Sequence, residues 1–127
     1  MTPALHPAGA PHDTPPALRG KVALVTGAAG HIGANLTRAL LAAGCEVRAL
    51  VYDQDEGVRG LPVQRVDGDV CDEALVRRAA EGADYVFHLA ARISIDGDPG
   101  GRVHRTNVLG TRSVVAACLA ARVGRLI

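Results

Sequence analysis

Three glycines at i, i+3 and i+6 in Thr26-Gly27-Ala28-Ala29-Gly30-His31-Ile32-Gly33 constrain this chain more than any other feature. They follow an apolar run, Val22-Ala23-Leu24-Val25, and precede a segment with helical periodicity. A backbone without Cβ atoms there can turn sharply out of a strand, approach a pyrophosphate and start a helix packed close to that strand. The helix then presents free N–H groups and its positive end to an anion. Gly27, Ala29, Gly30, His31, Ile32 and Gly33 are therefore the candidate phosphate-binding residues. Glycines also collect in ordinary turns; the strand before and the helix after give these their meaning.

Strand and helix signals alternate along the rest of the chain. Lys21 to Thr26 reads as a buried first strand, and Ile32, Leu36, Ala39, Leu40 and Ala43 share one helical face until Gly44 closes the helix. Val47 to Val51 is a second strand, followed by a polar loop, Asp53 to Gly57, and a weaker third strand, Val63 to Val66. Asp72 is placed to cap a helix with Leu75, Val76, Ala79 and Ala80 inward and Gly82 as its stop. Asp84 to Ala90 is a fourth strand, leading into the loop Arg92 to Gly101. A long helix beginning near His104 then lines one side with Val108, Val115, Cys118 and Leu119, and Gly124 ends it. Arg125 to Ile127 begins a fifth strand. Strands joined by helical crossovers predict the α/β class: a Rossmann-type, doubly wound parallel sheet covered on both faces and truncated in its fifth strand.

Residues 1–18 contain Pro3, Pro7, Pro11, Pro15 and Pro16 and are expected to form a disordered tail, with 20–127 as the folded part. His6 and His12 in that tail have no third ligand nearby and read as solvated. A net charge of +1, with arginines spread along the chain, offers no basic stripe for nucleic acid and no polybasic membrane anchor. Cys45, Cys71 and Cys118 are odd in number and lack metal-ligand spacing, so each reads as a small packing residue in a reducing compartment. No apolar run approaches the ~20 residues of a membrane span, and a cytoplasmic location is expected.

Four motifs in order resemble the extended short-chain dehydrogenase/reductase superfamily, in its NAD-dependent epimerase/dehydratase group, over Lys21 to Ile127. Thr26 to Gly33 is similar to the TGxxGxxG loop, Gly68-Asp69-Val70 to the adenine-contact turn, His88-Leu89-Ala90-Ala91 to the HxAA strand end and Asn107-Val108-Leu109-Gly110-Thr111 to the NVxGT helix segment. Val47 to Val51 and Phe87 to Ala91 look most like the dihydroflavonol-reductase and 3β-hydroxysteroid-dehydrogenase-like branch. The resemblance implies that Asp69, with Val70, meets the adenine, though Asp69 also suits a turn before a helix. It implies that Leu89, Ala90 and Ala91 line the cofactor by backbone, that His88 packs in the core, and that Asn107 bonds the adjacent strand's backbone where the sheet opens. In full-length relatives of this kind the long helix contributes to a homodimer, and the Arg92 to Gly101 loop approaches a small-molecule substrate.

The expected cofactor is NAD or NADP. An acid about 20 residues after the last glycine binds ribose hydroxyls in NAD users, whereas an arginine there holds the phosphate of NADP. Asp53 stands at that distance but past the strand end, where a solvated loop acid would also stand, and Tyr52 occupies the place of the arginine. The balance leans to NAD. The Tyr-x-x-x-Lys pair that the resemblance would require is missing: Tyr85 is followed at i+4 by Leu89, Tyr52 by Glu56, and the single lysine, Lys21, precedes the glycine loop. Two readings follow. The chain is the NAD(P)-binding, N-terminal portion of an oxidoreductase or epimerase acting on a sugar nucleotide or a hydroxy or keto small molecule, inactive as it stands; or it is a non-catalytic dinucleotide-binding or sensor module.

Overall fold

The computed structural model describes residues 17–127, and His6, His12 and nearly all of the proline-rich tail lie outside them. Successive residues of the first strand, β1 (Val22–Thr26), face opposite sides of the sheet and so divide the core into two layers. Leu24 joins Leu50, Val76, Val86 and Val114 on one side; Ala23 and Val25 join Leu40, Val47 and Ala49 on the other. Each fully buried Val or Leu is worth about 1.5–3 kcal/mol, so both faces contribute to stability. This is the two-sided burial expected of a parallel sheet.

The chain runs β1, α1 (His31–Ala42), β2 (Glu46–Val51), β3 (Gln64–Asp67), α2 (Glu73–Ala80) and β4 (Tyr85–His88). A 3-10 turn (Pro99–Gly101), α3 (Arg102–His104), a π-helical turn (Arg105–Leu109), α4 (Gly110–Ala120) and β5 (Arg125–Leu126) complete it. The five strands are parallel in the order β3-β2-β1-β4-β5, with Val25 opposite Ala49 on one side and Phe87 on the other. The predicted α/β class, a parallel sheet with helices on both faces, is observed. Helix α1 packs on one layer, while α2 and α4 pack on the other and against each other. Leu18 is ordered as well: it packs against the α1 layer, and its carbonyl accepts the Cys45 thiol at 3.2 Å.

Two helices are turned relative to the sequence expectation. In α1 the buried face is Gly33, Ala34, Thr37 and Leu40, whereas Ile32 is 70% exposed and Ala39 is exposed. Gly33 must lie against the Gly27 carbonyl, and that contact rotates the helix. In α4 the buried residues are Gly110, Ser113, Val114, Ala117 and Cys118, so Cys118 faces inward as expected but Val115 and Leu119 do not, nor does Val108 in the π-helical turn before it. Close approach selects small residues over large ones: a Cβ on Gly110 would stand 2.7 Å from Val70.

Helix and strand ends also differ from expectation. Gly44 follows α1 with φ +82, as the Gly expectation requires, but α4 ends through Arg122 at φ 53 rather than at Gly124. Gly124 instead donates to the Asp84 carbonyl at 3.0 Å, leading into β5. The long helix begins earlier than expected because Asp98 accepts the amides of Val103 and His104 at 2.8 and 3.0 Å. Those amides, His104 first, hold the Asp98 carboxyl below its ordinary range. Asp72 caps α2 as expected, accepting from Leu75 N at 3.0 Å.

Candidate functional site

The C-terminal ends of β1, β2, β3 and β4 open onto one cavity of about 450 Å³. It lies in the crevice where strand order reverses, between β1 and β4, the place where open α/β sheets bind ligands. Gly27, Gly30, Asp53, Asp69, Val70, Leu89, Ala90 and Ala91 line it. Ala29 lines a smaller hollow beside it, together with Tyr52 and Asp53. His31, Ile32 and Gly33 do not form the wall: His31 and Ile32 are exposed at the start of α1, and Gly33 is buried beneath it. Sequence reasoning missed Thr106 and Gln54 in the wall, and also the structural parts played by Thr26 and Thr111. Thr26 and Thr111 stood inside quoted motifs, while Thr106 adjoins one.

The glycine turn brings two backbones into contact. Gly27, at φ 64, is so close to the β4 extension that a Cβ would stand 2.8 Å from Ala90 N and from Leu89 C. Gly30 caps α1 without a side chain, and no acidic residue occupies the first turn. The positive helix end is thus left for an external anion, which fits a pyrophosphate.

Both candidate acids are on the wall. Asp69 forms the turn that its alternative reading required: Oδ1 accepts Cys71 N at 2.9 Å. An ionised carboxylate offers about four lone-pair sites, so this bond leaves Asp69 acceptor capacity. Asp53 is exposed and accepts Gln54 N at 2.8 Å, and Tyr52 beside it is 61% exposed. Nearby Arg65 is engaged by Asp67 at 2.7 Å and by Asp55, so it is not a free cation for a phosphate.

His88 is half-buried, and burial pushes its imidazole below the ordinary value. Its Nδ1 is 2.7 Å from Thr26 Oγ1 and its Nε2 is 3.0 Å from Thr111 Oγ1, a packed position as expected. Asn107 grips the segment after β4: its Oδ1 accepts Arg92 N at 2.8 Å and its Nδ2 donates to Arg92 O at 2.9 Å. Burial also pushes the thiols of Cys45, Cys71 and Cys118 up, so none is a ready thiolate. Among the described residues no three His, Cys, Asp or Glu side chains gather to hold a metal ion, and no helix is long and apolar enough to cross a membrane.

This fold and site define a nucleotide-binding α/β protein of the Rossmann type. Residues 23–127 match the model of the NAD dependent epimerase/dehydratase family, and the chain belongs to that family. It is 42% identical over 106 residues to sterol demethylase protein B of Methylococcus capsulatus, covering 82% of this chain and 32% of that protein. It is 41% identical over 108 residues to a dTDP-glucose 4,6-dehydratase of Streptomyces griseus, covering 74% of this chain and 33% of that protein. The fold is also similar to DesIV, a dTDP-glucose 4,6-dehydratase of Streptomyces venezuelae solved with NAD and TYD bound, with a TM-score of 0.74, 30% identity and coverage of 83% and 38%. The chain thus spans about a third of the length of these relatives.

Proposed function

We propose that this chain holds the dinucleotide of an NAD(P)-dependent oxidoreductase or epimerase, with NAD favoured over NADP. The observation that supports it most directly is the cavity at the strand-order reversal, with the Gly27 to Gly30 turn at one side and Asp53 and Asp69 on its wall. Gly27 and Gly30 admit the pyrophosphate to the start of α1, Asp53 accepts from the adenosine ribose, and Asp69 and Val70 meet the adenine. Leu89, Ala90 and Ala91 cover the path toward the nicotinamide. The bound dinucleotide supplies a hydride donor or acceptor. This chain's residues bind and orient it, and the Arg92 to Gly101 segment faces a small hydroxy, keto or sugar-nucleotide substrate.

A dinucleotide-binding or sensor module without chemistry is the second reading. A homodimer through α4 is proposed as well, supported by the outward Val115 and Leu119.

The test is titration of the 127-residue chain with NAD and NADP, followed by saturation-transfer NMR, with Asp53→Asn as the variant. Tighter binding of NAD, narrowed by Asp53→Asn, is the expected result. Comparable retention of both cofactors would remove Asp53 as the discriminator, and binding of neither would overturn the proposal. A dehydrogenase assay separates the two readings, because the sensor reading predicts binding without turnover in any form of the protein.

A further inference from the structure

The hydrogen bonds around His88 form a directed chain. Thr111 has one hydroxyl proton, and it donates that proton to the Asn107 carbonyl at 2.7 Å. Toward His88 Nε2, at 3.0 Å, Thr111 can therefore only accept, which places the ring proton on Nε2. A neutral imidazole then has a bare Nδ1, which accepts the Thr26 hydroxyl at 2.7 Å. The Thr26 oxygen accepts the amides of Leu89 and Ala90, both at 3.1 Å. Leu89 N also reaches the Thr26 carbonyl at 3.3 Å, whereas Ala90 N has Thr26 Oγ1 as its partner.

We propose that His88 is a positioning residue: as the Nε2-protonated neutral tautomer it couples the start of α4, through Thr111, to the Ala90 amide on the wall of the cavity. This goes beyond a packed core histidine, because the ring's two nitrogens have opposite roles. Moving the proton to Nδ1 would aim a third donor at the Thr26 oxygen, which already accepts from Leu89 and Ala90. One of the three donors would then go unpaired, and the Ala90 amide, unlike that of Leu89, has no second acceptor among the described residues. The meaning of that wall as a cofactor surface rests on the function proposed above; the coupling itself does not.

The π-helical turn gives the coupling its geometry. It ends at Leu109, one residue before Gly110, whose lack of a Cβ lets α4 close on Val70. Thr111 thereby reaches His88 while Asn107, in the π turn, holds Arg92. Asn107 thus holds Arg92 directly, while Thr111 of the same helical segment reaches Ala90 through His88 and Thr26.

The test uses the 127-residue chain and two NMR readouts. In the unaltered protein, the ¹⁵N shifts of the His88 ring should show a protonated Nε2 and a bare Nδ1; a protonated Nδ1 overturns the proposal. In Thr111→Val the Ala90 amide should exchange roughly tenfold faster, the equivalent of one lost hydrogen bond, and Thr111→Ser should restore it. A folded Thr111→Val protein with unchanged Ala90 exchange also overturns it, since a purely local packing role for Thr111 would not reach across the ring. Should Thr111→Val fail to fold, the ring shifts of the unaltered protein decide alone. NAD titration of the same proteins keeps the two readings apart: absence of binding in the unaltered chain counts against the dinucleotide function, while the ring shifts and amide exchange still judge the coupling.

Discussion

A Cβ on Gly33 would stand 2.0 Å from the carbonyl oxygen of Gly27. That one approach ties the third glycine of the motif to the first and sets the angle at which α1 leaves β1. The clash is with backbone on both sides, so no rotamer relieves it. Gly33→Ala is expected to destabilise the fold by about 3 kcal/mol, the upper part of the range for overpacking, out of a typical total of roughly 5–15 kcal/mol. Urea denaturation monitored by circular dichroism measures it. Dinucleotide affinity should fall in parallel, because the start of α1 moves with the helix. A shift below about 0.5 kcal/mol, the level of a neutral surface change, would mean that this contact is not close in solution.

His88 makes stability depend on pH in a defined window. Its folded pKa is lowered by burial from the ordinary 6.5, so the folded protein binds fewer protons than the unfolded chain between the two values. Its contribution is complete above 6.5 and declines as pH falls through that value toward the folded pKa. Asp55, through Arg59 and Arg65, and Asp98 are shifted downward from 3.8 and titrate outside this window. Denaturation midpoints measured across the window should decline toward acid in the unaltered chain, and His88→Gln should flatten that part of the slope. A midpoint that rises toward acid would contradict the neutral, buried ring.

The sheet, its parallel sense and the glycine turn were legible in the sequence, because apolar runs of Val, Leu and Ala separated by helical periodicity leave few alternatives. The helix faces were not. Ile32, Val115 and Leu119 are apolar and were assigned inward on their helical spacing, yet the helices turn Gly33, Gly110 and Ala117 to the protein instead. Periodicity marks a face, but close backbone approach decides which neighbouring face is used, and that approach depends on residues distant in sequence such as Val70. The cavity wall followed a similar pattern. Gly27, Asp69 and Ala90 stood in motifs whose spacing carries meaning, while Thr106 has no local signal and reaches the wall only through the π-helical turn. The strand β4 also stops earlier than its apolar run, at His88, because Thr26 Oγ1 takes the amides of Leu89 and Ala90.

Arg48 sits within β2, where sequence reasoning assigned it no task. Its guanidinium crosses to the C-terminal end of α2: Nη1 donates to Ala79 O at 2.7 Å and also to Glu81 O. These are final carbonyls of a helix, without intrahelical partners and at the negative end of its dipole. Arg48→Met keeps most of the apolar stem and removes the donors, and is expected to cost about 1–2 kcal/mol. The urea midpoint should fall with an unchanged slope, as for a loss of stability without a change in the exposed surface. Hydrogen exchange should quicken in the last turn of α2 and leave α1 unaffected; a uniform change over both helices would refute a capping role.

Thr37 shows the opposite situation, a polar group that the fold does not use. It is fully buried in α1, and among the described residues its Oγ1 has no hydrogen-bond partner. An unpaired buried hydroxyl costs about 1–3 kcal/mol relative to a paired or solvated one. Valine has nearly the same shape, a similar helix propensity and no polar atom to desolvate. Thr37→Val is therefore expected to stabilise the chain by roughly 1 kcal/mol, raising the urea midpoint, whereas Thr37→Ala should lower it by opening a void. If Thr37→Val instead lowers the midpoint, the hydroxyl has a partner in solution. The first place to look is the carbonyl of Gly33, one helical turn back, where a threonine hydroxyl can bond within its own helix.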